Sequence, residues 1–312
     1  AVTGVQTCAL PIYKQADSPW AVLFVNDPMS FLDASQKRDK LMKFLTLNTH
    51  SWMEEDAEGK FQTLKKQILK AQYDIICFQE VNQEIETSVV DTDAYYHALP
   101  SATPIHQDHF VRLLVEKLAE EGLQYHWTWA YNHIGYDHLN EGVAVLSRQP
   151  LTASEILVSD VDDPTDYHTR RVAVAETTVD GREVAVASVH LSWWDKGFQE
   201  EWARIEERFK AIGKPLILAG DFNNPAGREG HKAILASSLN LQDSFEVAKE
   251  TTGSYTVGPG IDGWKGNEEP LRIDYVFASQ DWTVERLSVI FDGNNQPLVS
   301  DHYGLEAELT FK

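Results

Sequence analysis

Residues 170–191, RRVAVAETTVDGREVAVASVHL, contain two runs of alternating apolar and polar residues on either side of Asp180 and Gly181. This pattern predicts a β-hairpin, because alternation is typical of half-buried strands and Asp-Gly tolerates the positive φ angles of a tight turn. Residues 198–212, which follow, have helical spacing, and residues 214–222 form an apolar, strand-like segment. The hairpin therefore belongs to a chain in which some strands follow each other directly and others are separated by helices.

The same mixture of signals extends over residues 42–312. Directly connected strands predict antiparallel pairing, and amphipathic helices need a sheet face to cover. We therefore expect an α/β (α+β) fold of two mixed, mostly antiparallel β-sheets packed face to face, with the helices outside. Further strands are predicted at residues 42–48, 74–79, 124–131, 142–148, 154–159, 272–278, 284–291 and 304–311, and further helices at residues 60–72 and 108–122.

Residues 1–41 differ from this pattern. Residues 2–12, VTGVQTCALPI, match the translation of a common sequencing-library adapter, and residues 13–41 show no period typical of a helix or a strand. We expect residues 1–41 to be a non-native or disordered leader, with a genuine N-terminal extension as the alternative. No Gly/Ser-rich linker divides residues 42–312, which we predict to be a single domain.

The charge of the chain constrains its partners. Lys and Arg number 27 against 48 Asp and Glu, which gives a formal net charge of −21. A protein that binds nucleic acid must neutralise many phosphates with basic side chains, so this chain is expected to repel a long polyanion. A small phosphorylated substrate needs far fewer basic side chains. The alternative interpretation of the negative charge is simply a solvated acidic surface.

Two further properties bear on location. No apolar run approaches the ~20 residues that a membrane-spanning helix needs, so no membrane partner is predicted. The chain has two cysteines, Cys8 and Cys77, and Cys77 lies in an apolar run, so no disulfide framework is available. A reducing cytoplasm is the expected location, and the sequence leaves the oligomeric state open.

Short polar motifs interrupt the strand-like segments of residues 42–312. Carboxylates, amides and histidines that recur at strand ends can converge on one metal ion and one phosphate. The motifs are Asn48 in LTLNTHSW, Glu80 in DIICFQEVNQ, His190 in VASVHLSWWD, Asp221 and Asn223 in LILAGDFNNP, Asp274 in RIDYVFAS, and Asp301 with His302 in LVSDHYGLEAEL.

In this order the motifs resemble those of the endonuclease/exonuclease/phosphatase superfamily. The resemblance runs from about Met42 to the C-terminus, and the series GDFN, IDY and SDH is its most specific part. It implies a four-layer α/β sandwich with the site at one edge. It also implies that residues 42–312 are a catalytic domain that hydrolyses phosphate esters with a divalent metal ion.

The metal site is predicted at Asn48, Glu80 and Asp301. Hard cations prefer oxygen ligands, and Glu80 directly follows a buried strand, where an ionised carboxylate needs a partner. The resemblance implies that Glu80 binds Mg²⁺ or Mn²⁺, that the Asn48 amide lies beside the metal, and that Asp301 lies near it. A surface acid at Glu80 and a turn residue at Asn48 are the alternatives, and the number of metal ions stays open.

The catalytic groups are predicted at His190, Asp221, Asn223, Asp274 and His302. Asp221 and Asn223 flank Phe222, so an extended backbone would place both side chains on one face. The resemblance implies that Asp221 orients or deprotonates water and that Asn223 binds a phosphate oxygen.

It also implies that Asp274 pairs with His302 and that His190 contacts the phosphate or the leaving group. Whether His302 acts as a cation or as a base stays open, and an ion pair with Arg272 is the alternative for Asp274. Glu141 matches an acid that orients the histidine equivalent to His190 in some nucleases.

The substrate is expected to be a small sugar phosphate. Trp52, Trp193 and Trp194 directly follow motifs and offer apolar faces to a sugar ring, with core packing as the alternative. Arg170, Arg171 and Lys196 are candidates for holding a phosphate or a hydroxyl group. The segments NTHSWMEED, FQEVNQE, YNHIGYDHLNEGVAVLSR and HLSWWDKGFQEEW resemble those of bacterial maltose 6′-phosphate phosphatases.

Three other functions stay open at this point. A nuclease would need a track of Lys and Arg along its groove, and no such run is evident, so a nucleic-acid partner is not expected. A sphingomyelinase-like phosphodiesterase would usually carry a targeting segment. A non-enzymatic binding module would be expected to lose metal-binding or water-activating residues, whereas every motif is intact.

Overall fold

The computed structural model describes residues 41–261 and 263–312, so the predicted leader, apart from Leu41, lies outside the described residues. The described residues form thirteen strands and five α-helices. The strands are β1 (Met42–Asn48), β2 (Ile75–Glu84), β3 (His126–Gly135), β4 (Leu139–Ser147), β5 (Thr152–Leu157), β6 (Arg171–Val179), β7 (Arg182–His190), β8 (Leu216–Asp221), β9 (Gln242–Asp243), β10 (Glu250–Thr252), β11 (Asp274–Ala278), β12 (Trp282–Ile290) and β13 (Gly304–Phe311). The helices are α1 (Ala57–Ala71), α2 (Phe110–Glu120), α3 (Gln199–Phe209), α4 (Glu229–Leu235) and α5 (Ser244–Val247).

The strands form two mixed sheets. One has seven strands in the order β10-β12-β13-β1-β2-β4-β3, and the other has six in the order β5-β6-β7-β8-β11-β9. The pairs β1–β2, β10–β12 and β7–β8 are parallel and the other pairs are antiparallel. The prediction of two mixed, mostly antiparallel sheets is confirmed.

Three apolar clusters hold the layers together. The inner faces of the two sheets meet in one cluster, where Phe44 and Cys77 of the first sheet join Val186 and Ile217 of the second. Helices α1 and α2 cover the outer face of the seven-stranded sheet, and α3 covers the outer face of the six-stranded sheet. Side chains alternate along each strand, so a strand that is covered on both faces needs apolar residues on both. The four layers are thus helices, sheet, sheet and helices.

The hairpin of β6 and β7 has the predicted turn. Asp180 and Gly181 have φ angles of 48° and 78°, and Val179 pairs with Arg182 across them. Both residues have the left-handed backbone that a two-residue turn between twisted strands requires.

Other local predictions were incomplete. The short elements α4, α5, β9 and β10 lie in segments for which the sequence predicted no regular structure, since two to seven residues are too few to show a period. None of the helices in the described ranges is long and apolar enough to cross a membrane.

Candidate active site

The predicted motifs meet at one edge of the sandwich. There β1, β7 and β8 end, while β11 begins, so that Asp274 pairs with Asp221 and His190 pairs with Asp221 on the other side. The prediction placed every motif at the end of a strand, but Asp274 begins β11 and His302 precedes β13. β11 runs antiparallel to β8 and β13 runs antiparallel to β1, so the start of β11 and of β13 lies at the same edge as the end of β8 and of β1. A cavity of about 380 Å³ opens there.

Glu80 lies within β2, not at its end as predicted. The ladder between β2 and β4 is interrupted between Phe78 and Val81, and Glu80 has a φ angle of 52°. This bulge turns the Glu80 side chain into the cavity, while pairing resumes from Val81 to Glu84. The sequence did not show the longer strand because the buried residues that follow Val81 are polar Asn82 and Gln83.

The structure brings Asn48 and Glu80 together. Asn48 Nδ2 donates to Glu80 Oε1 at 2.7 Å and to Asp221 Oδ2 at 3.2 Å, so one amide links both carboxylates. Candidate ligand atoms of Glu80, His190 and Asp221 lie within 4.8 Å of one another.

The charges at this end of the cavity fit a divalent cation. Burial, and then the neighbouring charge of Asp274, raise the pKa of Asp221 to about 7. Burial, followed by the charge of Glu80, raises the pKa of Glu141 to about 8. Crowded carboxylates that disfavour each other's charge are the donor set that a hard cation stabilises.

Asp301 belongs to a second group of potential ligand atoms at the cavity. Its carboxylate groups with His50 and Glu54, whose ligand atoms lie within 4.8 Å of one another, and it is not part of the cluster of Glu80 and Asp221. Glu54 accepts from His50 Nδ1 at 2.8 Å and from the Asp301 backbone N–H at 2.9 Å, and it also pairs with Lys60. The three predicted metal ligands therefore do not form one cluster in this structure.

His50 is a cavity residue that the sequence analysis did not single out. Burial opposes its charge, but the hydrogen bond to Glu54 and the charges of Glu80 and Asp301 raise the pKa of His50 to about 9. The signal was weak, because His50 lies in an irregular segment with a φ angle of 48°, outside any strand pattern.

Asp221 and Asn223 both line the cavity, although not for the predicted reason. Asn223 has a φ angle of 49°, so the chain turns after Asp221 and does not continue as a strand. Asp221 Oδ1 accepts from the Asn223 backbone N–H at 2.8 Å, and Asn223 Nδ2 donates to the Leu191 carbonyl oxygen. Trp264 Nε1 donates to Asn223 Oδ1 at 3.2 Å, which holds the amide from the opposite side.

Asp274 and His302 form a buried pair. His302 Nδ1 lies 3.0 Å from Asp274 Oδ2, and His302 Nε2 lies 3.7 Å from Asp221 Oδ2. Although burial opposes the charge, Asp274 and Asp221 raise the pKa of His302 well above its usual value. Arg272 pairs with Asp243 at 2.7 Å, so the alternative of an Arg272–Asp274 pair is excluded.

His190 lies close to both Asp221 and Glu80, in a buried setting that disfavours the charged imidazole. Its Nε2 is 3.6 Å from Asp221 Oδ2 and 3.8 Å from Glu80 Oε1. Burial and the charge of Arg170 hold its pKa well below the usual value.

Glu141 does not orient His190 as the resemblance implied. Within the described residues, His190 Nδ1 has no hydrogen-bond partner. Glu141 Oε1 is instead 3.5 Å from His133 Nε2.

The predicted substrate residues divide into two groups. Glu141, Arg170, Trp193 and Lys196 line the cavity, with Lys196 Nζ 5.0 Å from the centre of the Trp193 ring. Additional cavity residues include His133, Tyr136 and Tyr167.

Trp52, Trp194 and Arg171 do not line the cavity. Trp52 packs against Phe61 and Phe110 and donates from Nε1 to the Asp108 carbonyl oxygen. Trp194 packs against Phe198, and Arg171 bonds the Tyr131 carbonyl oxygen and Asp162. For the two tryptophans, closeness to a motif in sequence was misleading, because both rings pack against other aromatic side chains. The Arg171 guanidinium is held away from the cavity by Tyr131 and Asp162.

Gly220 precedes Asp221 on β8 and packs closely against β7 and Gln79. It has a φ angle of 139°, and an added Cβ would lie 2.1 Å from the Val189 carbonyl oxygen and 2.8 Å from Gln79 Nε2.

We expect Gly220→Ala to lower the free energy of unfolding by about 3 kcal/mol or more, because backbone and a buried amide must move. Denaturant unfolding measures this. Gly227→Ala is the control: its φ is 75°, no described atom lies within 4 Å of the added Cβ, and a loss of about 1 kcal/mol is expected. Equal losses in the two variants would contradict the steric argument.

The model of the endonuclease/exonuclease/phosphatase family matches residues 47–302, which is most of the chain. The chain belongs to this family. Members of this family hydrolyse phosphoester bonds.

Known family members show how far the likeness extends. An endonuclease/exonuclease/phosphatase family protein from Leptotrichia buccalis has 28% sequence identity and a TM-score of 0.76, over 86% of this chain and 100% of that chain. A mannosyl-6-phosphatase from Bacteroides thetaiotaomicron has the same fold, with 17% identity and a TM-score of 0.60, over 86% of this chain and 100% of that chain. Nocturnin from Xenopus laevis is 30% identical over 125 residues, which are 36% of this chain and 31% of that protein, so the matched region spans about a third of nocturnin.

Proposed function

We propose that this family member is a divalent-metal-dependent phosphatase that hydrolyses a small sugar phosphate. The observation that carries the proposal is the convergence of Glu80, Asp221, His190 and His302 on one cavity, whose lining also includes Trp193. Mg²⁺ or Mn²⁺ held by Glu80, with Asn48 beside it, would neutralise charge on the phosphoryl oxygens. Asp301 lines the same cavity, in the separate group that it forms with His50 and Glu54.

The remaining groups have complementary roles. Asp221 orients the attacking water and accepts its proton, since the hydrogen bonds from Asn48 and Asn223 fix its carboxylate. His302, kept protonated by Asp274, donates to a phosphoryl oxygen as charge develops there. Neutral His190 donates or accepts at the leaving-group side, and Asn223 contacts a phosphate oxygen.

The cavity and the charge of the chain support a small substrate. A cavity of about 380 Å³ falls within the range typical of small-molecule sites, on the order of 300–1,000 Å³. The net charge of −21 disfavours long nucleic acids. The mannosyl-6-phosphatase with the same fold and the motif likeness to maltose 6′-phosphate phosphatases support a phosphorylated sugar.

Turnover of a substrate panel tests this proposal. Sugar phosphates, including maltose 6′-phosphate, nucleotides and plasmid DNA are assayed with Mg²⁺, with Mn²⁺ and with a chelator. We expect metal-dependent release of inorganic phosphate from sugar phosphates. Cleavage of DNA at physiological salt without turnover of any sugar phosphate would contradict the phosphatase assignment in favour of a nuclease.

Trp193 and Trp194 offer a matched test of sugar binding. We expect Trp193→Ala to lower kcat/KM for a disaccharide phosphate by about tenfold or more while sparing a small aryl phosphate, because only the sugar uses the indole face. Trp194→Ala, which removes a ring outside the cavity, should leave both substrates within about threefold once folding is verified. Similar losses on both substrates in Trp193→Ala would assign Trp193 to packing.

A further inference from the structure

The side chain of Arg170 is a buried cation at the active-site cavity. The residue is 4% exposed and lines the active-site cavity. Within the described residues, Arg170 Nε and Nη1 have no hydrogen-bond partner, and no carboxylate forms an ion pair with its side chain. Buried charges are normally paired, so an unpaired guanidinium at a cavity indicates that a ligand completes it.

The nearby carboxylates are not available to Arg170. Glu201 accepts from the Ser192 backbone N–H and from Ser192 Oγ, both at 2.7 Å. Glu141 Oε1 lies 3.5 Å from His133 Nε2, and no ion pair within 4.0 Å joins Glu141 to Arg170 among the described residues. The adjacent Arg171, by contrast, is fully engaged with Tyr131 and Asp162.

The chemistry of the guanidinium specifies an anionic ligand with several oxygens. A fork of N–H donors matches phosphate oxygens in pairs, whereas a sugar hydroxyl would leave the charge uncompensated. The cavity that Arg170 lines also holds Asp221, Asn223 and His302, where the phosphoryl group is placed under the proposed function.

We propose that Arg170 binds a terminal oxygen of the substrate phosphate and thereby selects phosphomonoesters over phosphodiesters. The proposal rests on the proposed phosphatase function and extends it. A phosphomonoester carries about −1.5 to −2 charges at neutral pH and three terminal oxygens. A phosphodiester carries one charge and only two terminal oxygens, and the ester oxygen that replaces the third is a weak acceptor, so Arg170 would gain less from it.

The experiment compares Arg170→Gln with Arg171→Gln. Each is assayed with 4-nitrophenyl phosphate and bis(4-nitrophenyl) phosphate, and binding of inorganic phosphate is measured by calorimetry in the presence of Mg²⁺. In Arg170→Gln we expect kcat/KM for the monoester to fall about 100-fold, that for the diester to change less than about threefold, and phosphate affinity to fall about tenfold. Arg171→Gln should change each quantity less than about threefold, because its guanidinium lies outside the cavity.

Equal losses on both esters, or unchanged phosphate affinity, would overturn the proposal. The same selective loss in Arg171→Gln would also overturn it, since a disturbance of the local fold would then explain the effect. If Arg170→Gln does not fold, Arg170→Lys keeps the charge and loses the fork, and a loss of about tenfold on the monoester alone is expected. Failure of the wild type to hydrolyse any sugar phosphate would contradict the proposed substrate, whereas the ester pair and phosphate binding report on Arg170 separately.

Discussion

Glu80→Gln is expected to lower kcat by about 100-fold or more, which corresponds to about 3 kcal/mol of barrier. Glutamine has the shape of glutamate and can still accept from Asn48, but it removes the charge that would hold a divalent cation. The variant should also need more Mg²⁺ for half-maximal activity. Steady-state kinetics over a range of Mg²⁺ concentrations measures both effects.

Glu84→Gln is the matched control for this variant. Glu84 lies on the same strand but outside the cavity, with its carboxylate 3.7 Å from His138 and exposed to solvent. Its loss should leave kcat and the Mg²⁺ requirement unchanged. Full wild-type activity in excess chelator would refute the metal mechanism as a whole, whichever residue were changed.

Asp221→Asn is expected to lower kcat by about 1,000-fold, because it removes the group that accepts the proton from water. The stability of the fold should not decrease. Burial and the charge of Asp274 raise the pKa of Asp221 above its unfolded value, so the ionised carboxylate destabilises the native state at neutral pH. A neutral amide removes that repulsion, and the melting temperature should stay the same or rise.

Asp243→Asn should show the opposite behaviour. Asp243 is equally buried, but it pairs with His231 at 2.9 Å and with Arg272 at 2.7 Å, away from the cavity. Its replacement should lower the melting temperature and leave kcat per folded molecule nearly unchanged. An Asp221→Asn variant with near wild-type kcat/KM would show that another group activates water.

Sequence patterns predicted the layers and pointed to most of the candidate residues that the structure brings to one cavity. Long apolar strands such as β1 and β8 have enough residues to show which faces are buried, and the hairpin turn follows from the backbone freedom of Asp180 and Gly181. Asn48, Glu80, Asp221 and His302 were found because each lies at or near a strand with such a pattern.

Other parts of the site could not be read from the sequence. The cavity residues His50 and Tyr167 come from irregular segments, where no period reveals the direction of a side chain. The same lack of direction made Trp52 a wrong prediction, since its ring faces α1 and α2. The bulge at Glu80 depends on pairing with β4, which is distant in sequence.

The active site belongs to neither sheet alone. Asn48 and Glu80 are carried by the seven-stranded sheet, whereas His190, Asp221 and Asp274 are carried by the six-stranded sheet. The bond from Asn48 to Asp221 therefore crosses the interior, as does the bond from Gln79 Nε2 to Ser188 Oγ at 2.9 Å. If one sheet slid over the other, every ladder hydrogen bond could survive while the two halves of the site lost their alignment. The alignment of the two halves of the candidate site therefore depends on packing between the sheets, to which small buried side chains such as Ser188 contribute.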